Sequence, residues 1–270
     1  GASGYGGDAG QVYAYDVEEL EFKREGMRIA GRFFAPQGVA RPCPTVIVCH
    51  GFGSSMERSA DYAAAFARAG IAACVFDFIG GSWDSQSDGD MLHMSVLTEA
   101  ADLNVVVDTL LARDDVDASR LVLMGGSQGG FVASYVAATR PSDVFALVAF
   151  YPAYVIQDDA RKRAARYGDA SETREYLDTR IGRIYDDDAL SFDIYDMLPD
   201  YTGPVLIVHG TVDELVPLEY SKRALEAFAN ARLETLEGAG HGFNGTYREQ
   251  AAQLAVAFVQ EQLRGQGGSR

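Results

Sequence analysis

Three cysteines, four histidines, one tryptophan and 23 basic residues against 39 acidic ones are what this 270-residue chain has little of. Each scarcity excludes something. Cys43, Cys49 and Cys74 are too few and odd in number for a disulfide framework, and no pair has metal-ligand spacing. Reduced thiols, a cytoplasmic location and no metal or cofactor are therefore expected. A formal charge of −16 leaves no basic patch of the kind that holds nucleic acid or an anionic membrane surface. Neither is expected as a partner, and strongly anionic substrates are disfavoured. No apolar run approaches the ~20 residues that span a bilayer. The opening GASGYGGDAG reads as a flexible tail over residues 1–10. Residues 11–270 are then expected to form one domain, with a homodimer as an allowed assembly.

What is present is an alternation of apolar runs and amphipathic stretches. Residues 17–22 and 28–34 alternate as two antiparallel strands around Glu25-Gly26. After them, residues 45–51, 71–78, 121–125, 144–152, 204–210 and 231–238 read as buried strands. Residues 59–70, 95–112, 128–140, 217–229 and 246–263 read as helices. Continuous Val/Ile/Leu runs alternating with helices predict an α/β fold built on a mostly parallel sheet, with helices on both faces. In such sheets ligands sit at the carboxyl ends of the strands. One segment, residues 152–200, breaks the rhythm. It is rich in charge and tyrosine, and a long connection of this kind is usually functional. A lid over the strand ends, about residues 153–200, is the expectation, with a short helix capped by Asp158 inside it. A solvated decoration is the plain alternative.

The chemistry begins in LVLMGGSQGG, residues 121–130. Gly125-x-Ser127-x-Gly129 between a strand and a helix has the form of a nucleophile elbow, in which a tight turn lifts the serine Oγ clear of the sheet. A neutral serine needs a base, and the base needs an orienting acid. His241 lies among glycines in Gly238-Ala239-Gly240-His241-Gly242-Phe243, on the ligand edge. His50 and His209 end strands, and His93 sits in a long loop. Asp213 follows the strand that ends in His209-Gly210, with Glu214 as its adjacent competitor. The chain order Ser127, Asp213, His241 is that of a hydrolase triad. A tetrahedral intermediate also needs oxyanion donors. The N–H of Gln128, directly after the serine, is one candidate. The N–H of Phe52 in the loop His50-Gly51-Phe52-Gly53 is the other.

These four motifs, taken together, resemble the α/β-hydrolase superfamily. Within it the chain is similar to bacterial cinnamoyl (feruloyl) esterases, over about residues 17–263. The resemblance implies a serine carboxylesterase acting on a small-molecule ester, with Ser127, Asp213 and His241 as triad, Phe52 and Gln128 as oxyanion hole, and a short lid. The family's ring-gripping lid residues do not match this sequence one by one; Tyr154, Asp158, Asp159 and Tyr185 are the candidates for gripping substrate, and Trp83 for the mouth of the site. Asp77-Phe78-Ile79-Gly80-Gly81-Ser82-Trp83 departs from the Asp-Phe-x-Gly-His-Gly stretch of those esterases, which leaves the acyl group open. A prolyl-oligopeptidase-like peptidase, a thioesterase and a non-catalytic binding protein of the same fold are the rival readings.

Overall fold

Runs without a polar break become strands buried along their whole length. β3 (Cys43–Cys49), β4 (Ala72–Phe76), β6 (Ala146–Phe150) and β9 (Val205–Gly210) are buried at every position. β5 (Val116–Gly126) is buried from Leu121 to Gly125. In the computed structural model, which describes residues 10–169 and 171–268, these strands and the edge strand β10 (Ala231–Leu236) pair in parallel. The expected tail at residues 1–10 lies outside the described residues except for Gly10. β1 (Tyr15–Arg24) and β2 (Met27–Pro36) form the expected hairpin around Glu25-Gly26, and β2 joins β4 antiparallel. The sheet order is β1-β2-β4-β3-β5-β6-β9-β10, the mostly parallel sheet that the alternation predicted.

Because side chains alternate across a strand, each parallel strand feeds two cores. Ile47, Leu123, Leu147 and Ile207 face one side, where α2 (Val96–Leu111) and α3 (Gln128–Thr139) cover them. Val48, Met124, Val148 and Val208 face the other, under α1 (Met56–Arg68) and α8 (Gly245–Gly268). Each fully buried side chain of this size stabilises the fold by about 1.5–3 kcal/mol. Local signals set the helix ends. The Ser95 hydroxyl accepts from the N–H groups of Leu97 and Thr98, and the Thr98 hydroxyl accepts from the Ser95 N–H, a capping box that starts α2. Gly70 takes φ 85° just past α1, and α3 stops before Pro141. α7 (Leu218–Ala227) connects β9 to β10.

Between β6 and β9 the chain builds α4 (Ile156–Tyr167), a hairpin of β7 (Thr173–Tyr176) and β8 (Thr179–Gly182), then α5 (Arg183–Ala189) and α6 (Ile194–Met197). The hairpin turns on Leu177 and Asp178, both at positive φ, as a two-residue turn requires. Asp186, fully buried, is held between Arg163 and Arg174. The Gln157 side chain bonds the carbonyls of Ala189 and Phe192 and the N–H of Ile194. The expected cap at Asp158 is corrected. α4 starts earlier, with Val155 in the cap position and Asp158 and Asp159 in its first turn. Burial of Ile156 pulls the helix start inward. The two acids then sit where the helix dipole favours negative charge.

Candidate active site

Where β5 meets α3, the backbones approach too closely for any side chain. A Cβ on Gly125 would lie 2.2 Å from the Gly129 carbonyl oxygen, and one on Gly129 would lie 2.2 Å from that of Cys49. Ser127, between them, takes φ 54° and ψ −120°, a strained conformation that persists only where the surroundings impose it. Here they do so through hydrogen bonds. The Ser127 N–H donates to the Phe150 carbonyl at 2.9 Å. The Ser127 carbonyl accepts from Ala153 at 2.9 Å and from Phe131 at 3.1 Å.

The loop after β10 brings His241 to this turn. Its Nε2 is 2.8 Å from Ser127 Oγ and its Nδ1 is 2.8 Å from Asp213 Oδ2. An ionised carboxylate only accepts, so Nδ1 carries the hydrogen and Nε2 is left to accept from the serine hydroxyl. The loop after β9 supplies Asp213. Its Oδ1 accepts the N–H groups of Leu215 at 3.0 Å and Val216 at 2.8 Å. Burial alone would raise the Asp213 pKa. Hydrogen bonds from His209, His241 and the Val216 N–H outweigh it and hold the carboxyl well below the usual range. Glu214 is exposed, so Asp213, not Glu214, faces the imidazole.

The three other histidines have partners of their own. His50 accepts the Phe78 N–H at Nε2 (3.0 Å), so its Nδ1–H donates to the Gly51 carbonyl at 2.7 Å. Burial lowers its pKa and keeps it neutral. This fixes the loop carrying Phe52 against the elbow, where a Cβ on Gly51 would lie 3.4 Å from Ser127 Cβ. Among the described residues, neither the Phe52 nor the Gln128 N–H has a protein acceptor. His93 is exposed and bonds Asp90. His209 is buried beside Asp213.

The Gln128 side chain, to which the sequence assigns no part, is engaged as well. Its Nε2 donates to Glu99 Oε1 at 2.8 Å, and its Oε1 accepts from Tyr185 Oη at 2.6 Å. Burial pushes the Glu99 carboxyl far up, against the opposing pull of Gln128. Its Oε2 has no hydrogen-bond partner among the described residues.

A cleft of about 410 Å³ opens over Ser127 and His241, walled by Phe52, Ile156, Tyr176, Leu177 and Leu215, with Tyr62, Phe150 and Tyr151 also lining it. The residues expected to grip substrate are not in its wall, and this corrects that expectation. Tyr154 is buried with its hydroxyl 2.8 Å from Ser134 Oγ. Tyr185 is buried on Gln128. Asp158 bonds Arg161 and the Tyr220 hydroxyl. Asp159 lies in the field of Arg163 and Lys162, although burial, the larger effect, raises its pKa. Trp83 is 69% exposed and outside the cleft. In each case a nearer polar partner, or solvent, takes the side chain. Tyr151 went unremarked in the sequence. It stands at the end of β6 with φ 35°, its ring centroid 4.6 Å from that of His241. The sequence signal that could have marked it is its place at the end of the strand neighbouring the nucleophile's. Among the described residues no group of three or more His, Cys, Asp or Glu is placed to hold a metal. No described helix is long and apolar enough to cross a membrane.

Comparison with known proteins agrees with this architecture. Residues 40–171 match the family described as serine aminopeptidase, S33, and residues 195–265 match that described as TAP-like protein. An uncharacterised protein of Mycobacterium tuberculosis is 26% identical over 221 residues, 81% of this chain and 69% of its own length. Among solved structures, Est1E of Butyrivibrio proteoclasticus with ferulic acid bound superposes with a TM-score of 0.80. It is 24% identical, over 93% of this chain and 100% of its own. The α/β-hydrolase GrgF of Penicillium sp. sh18 superposes at 0.76 with 20% identity, over 92% and 99%. The chain has the α/β-hydrolase fold that these solved structures share.

Proposed function

We propose that the protein is a serine carboxylic-ester hydrolase for small acyl esters. The observation that carries this reading is the unbroken array from Asp213 Oδ2 through His241 to Ser127 Oγ, both contacts at 2.8 Å, with the serine on its strained turn. His241 takes the Ser127 proton as Oγ attacks the ester carbonyl. The N–H groups of Phe52 and Gln128 receive the oxyanion, where fixed dipoles lower the barrier most. His241 then gives the proton to the departing alcohol. It activates a water in the same way to cleave the acyl-enzyme, while Asp213 stabilises the imidazolium. The segment between β6 and β9 acts as a lid, lending Ile156, Tyr176 and Leu177 to the cleft wall. Such an aromatic wall suits a flat or short acyl group, and cinnamoyl esters fit that description. That Est1E is solved with ferulic acid makes methyl ferulate a natural member of the test.

A panel of acetate, butyrate, octanoate and ferulate esters tests the reading, with Ser127→Ala as control. Loss of the nucleophile is expected to lower kcat on the order of 10⁶-fold. Ser127→Ala with wild-type turnover would overturn the reading. The aminopeptidase description of the family matched by residues 40–171 favours a second reading, amide hydrolysis. An aminoacyl p-nitroanilide turned over faster than any ester of the panel would select it.

A further inference from the structure

The acid of the array is gripped from two sides, and only one of them belongs to the reaction just described. Asp213 Oδ2 faces His241 Nδ1 at 2.8 Å and His209 Nε2 at 3.3 Å, while Oδ1 takes two backbone N–H groups. His209 ends β9 and is fully buried. Its Nε2 is 2.8 Å from the Val216 carbonyl and its Nδ1 is 2.6 Å from Ser221 Oγ on α7. A carbonyl only accepts, so Nε2 carries a hydrogen, shared between Val216 O and Asp213 Oδ2. The Ser221 hydroxyl can then donate to Nδ1, leaving a neutral imidazole with every polar atom satisfied. The peptide of Val216 closes the ring, since its N–H donates to Asp213 and its C=O accepts from His209.

We propose that His209 is a positioning residue for the proposed triad: it acts through Asp213, holding the carboxylate at His241 and taking up part of its hydrogen-bonding capacity. This rests on the reading of Ser127, His241 and Asp213 above. The buried array is Ser221–His209–Asp213–His241–Ser127, a second imidazole mirrored about the shared carboxylate, with no access to substrate. Hydrogen bonds from such outer partners fix the orientation and basicity of a catalytic group. Among the described residues, the titratable groups facing His209 are Asp213 and, across it, His241, against whose ring Tyr151 packs with centroids 4.6 Å apart. The Val216 carbonyl and the Ser221 hydroxyl are its other hydrogen-bond partners there.

The consequence is a pH effect with a definite sign. Without the His209 donor, the negative charge of Asp213 is less satisfied and binds the His241 imidazolium more tightly. The acid limb of kcat/KM is then expected to move to higher pH. The loosened carboxylate also lowers kcat, by about tenfold for one lost hydrogen bond of ordinary strength, with KM little changed. Three variants test this on p-nitrophenyl butyrate: His209→Leu, His209→Gln, which keeps an N–H at the Nε2 position, and His209→Asn, which does not. The expected result is a lower kcat and a raised acid limb in the Leu and Asn proteins and near-wild-type values in the Gln protein. A His209→Leu/Ser221→Ala double variant removes the orphaned hydroxyl should His209→Leu fold poorly, and it is expected to show the same shift. Equal pH profiles in all variants, or activity that only follows the folded fraction, overturn the proposal. Failure of the triad reading looks different, because Ser127→Ala would then keep its activity.

Discussion

Gly129 carries as much of the elbow as Ser127 does. Its missing Cβ would fall 2.2 Å from the Cys49 carbonyl oxygen and 2.5 Å from that of His50, and backbone cannot yield as a flexible side chain can. Gly129→Ala is therefore expected to cost several kcal/mol, on the order of overpacking plus backbone strain. A chemical denaturation midpoint unchanged from wild type would show that the strand and helix can part there. Gly126 is a different case. The atoms nearest a Cβ there belong to the Tyr151 side chain, at 3.3 Å, so Gly126→Ala is expected to be milder in stability than Gly129→Ala. Glu99 makes a prediction about pH. Burial raises its carboxyl far above the ordinary 4.5, so folding takes up a proton. The favourable contribution is complete below the unfolded value and is lost as pH rises toward the raised folded value, where a buried charge must form. Glu99→Gln keeps the size and removes the titration. Its thermal midpoint is expected to fall less than that of wild type as pH is raised above 4.5. Parallel curves for the two proteins would remove Glu99 from the account.

At the scale of elements, the parallel sheet was legible because a strand covered on both faces leaves an uninterrupted apolar run, as in residues 45–49 and 146–150. The positions of Ser127, Asp213 and His241 were legible for a related reason. Each follows a strand at the same sheet edge, so topology alone brings them together. The region between β6 and β9 was legible only as an interruption. Its side chains pair with one another, Asp186 with Arg163 and Arg174, and composition does not say which way a tyrosine turns. Tyr154 and Tyr185 were therefore expected in the cleft wall and are found inside the protein, while Tyr176, from the same segment, lines the cleft. A buried bond from α5 to the elbow, Tyr185 Oη to Gln128 Oε1 at 2.6 Å, makes a test of how the segment is held. Tyr185→Phe leaves Gln128 Oε1 buried without a donor, a cost of about 1–3 kcal/mol. Faster backbone hydrogen exchange over residues 173–189 and a KM raised more than kcat is lowered are expected. Unchanged exchange would mean that the buried Asp186 pairs hold the segment without help from Gln128.

For the whole molecule, the excess of 16 negative charges sets a field that every substrate crosses. Arg58 and Arg248 line the cleft and oppose it locally, but Arg248 is already paired with Asp61. Among the described residues lining the cleft, Arg58 is the arginine without a carboxylate partner. At about 10 mM salt the screening length is ~30 Å, the scale of the protein itself, and near 0.1 M it is ~10 Å. The repulsion of an anionic ester is therefore felt from the whole surface at low salt and mostly from neighbours at high salt. Two esters of similar size and different charge separate this from everything else the site does: p-nitrophenyl hemisuccinate and p-nitrophenyl butyrate. Raising salt from 10 to 200 mM is expected to raise kcat/KM several-fold for the hemisuccinate, chiefly through KM, and to leave the butyrate nearly unchanged. A hemisuccinate rate that falls with salt would reverse the conclusion, because screening would then be weakening an attraction to Arg58 and Arg248 rather than relieving a repulsion.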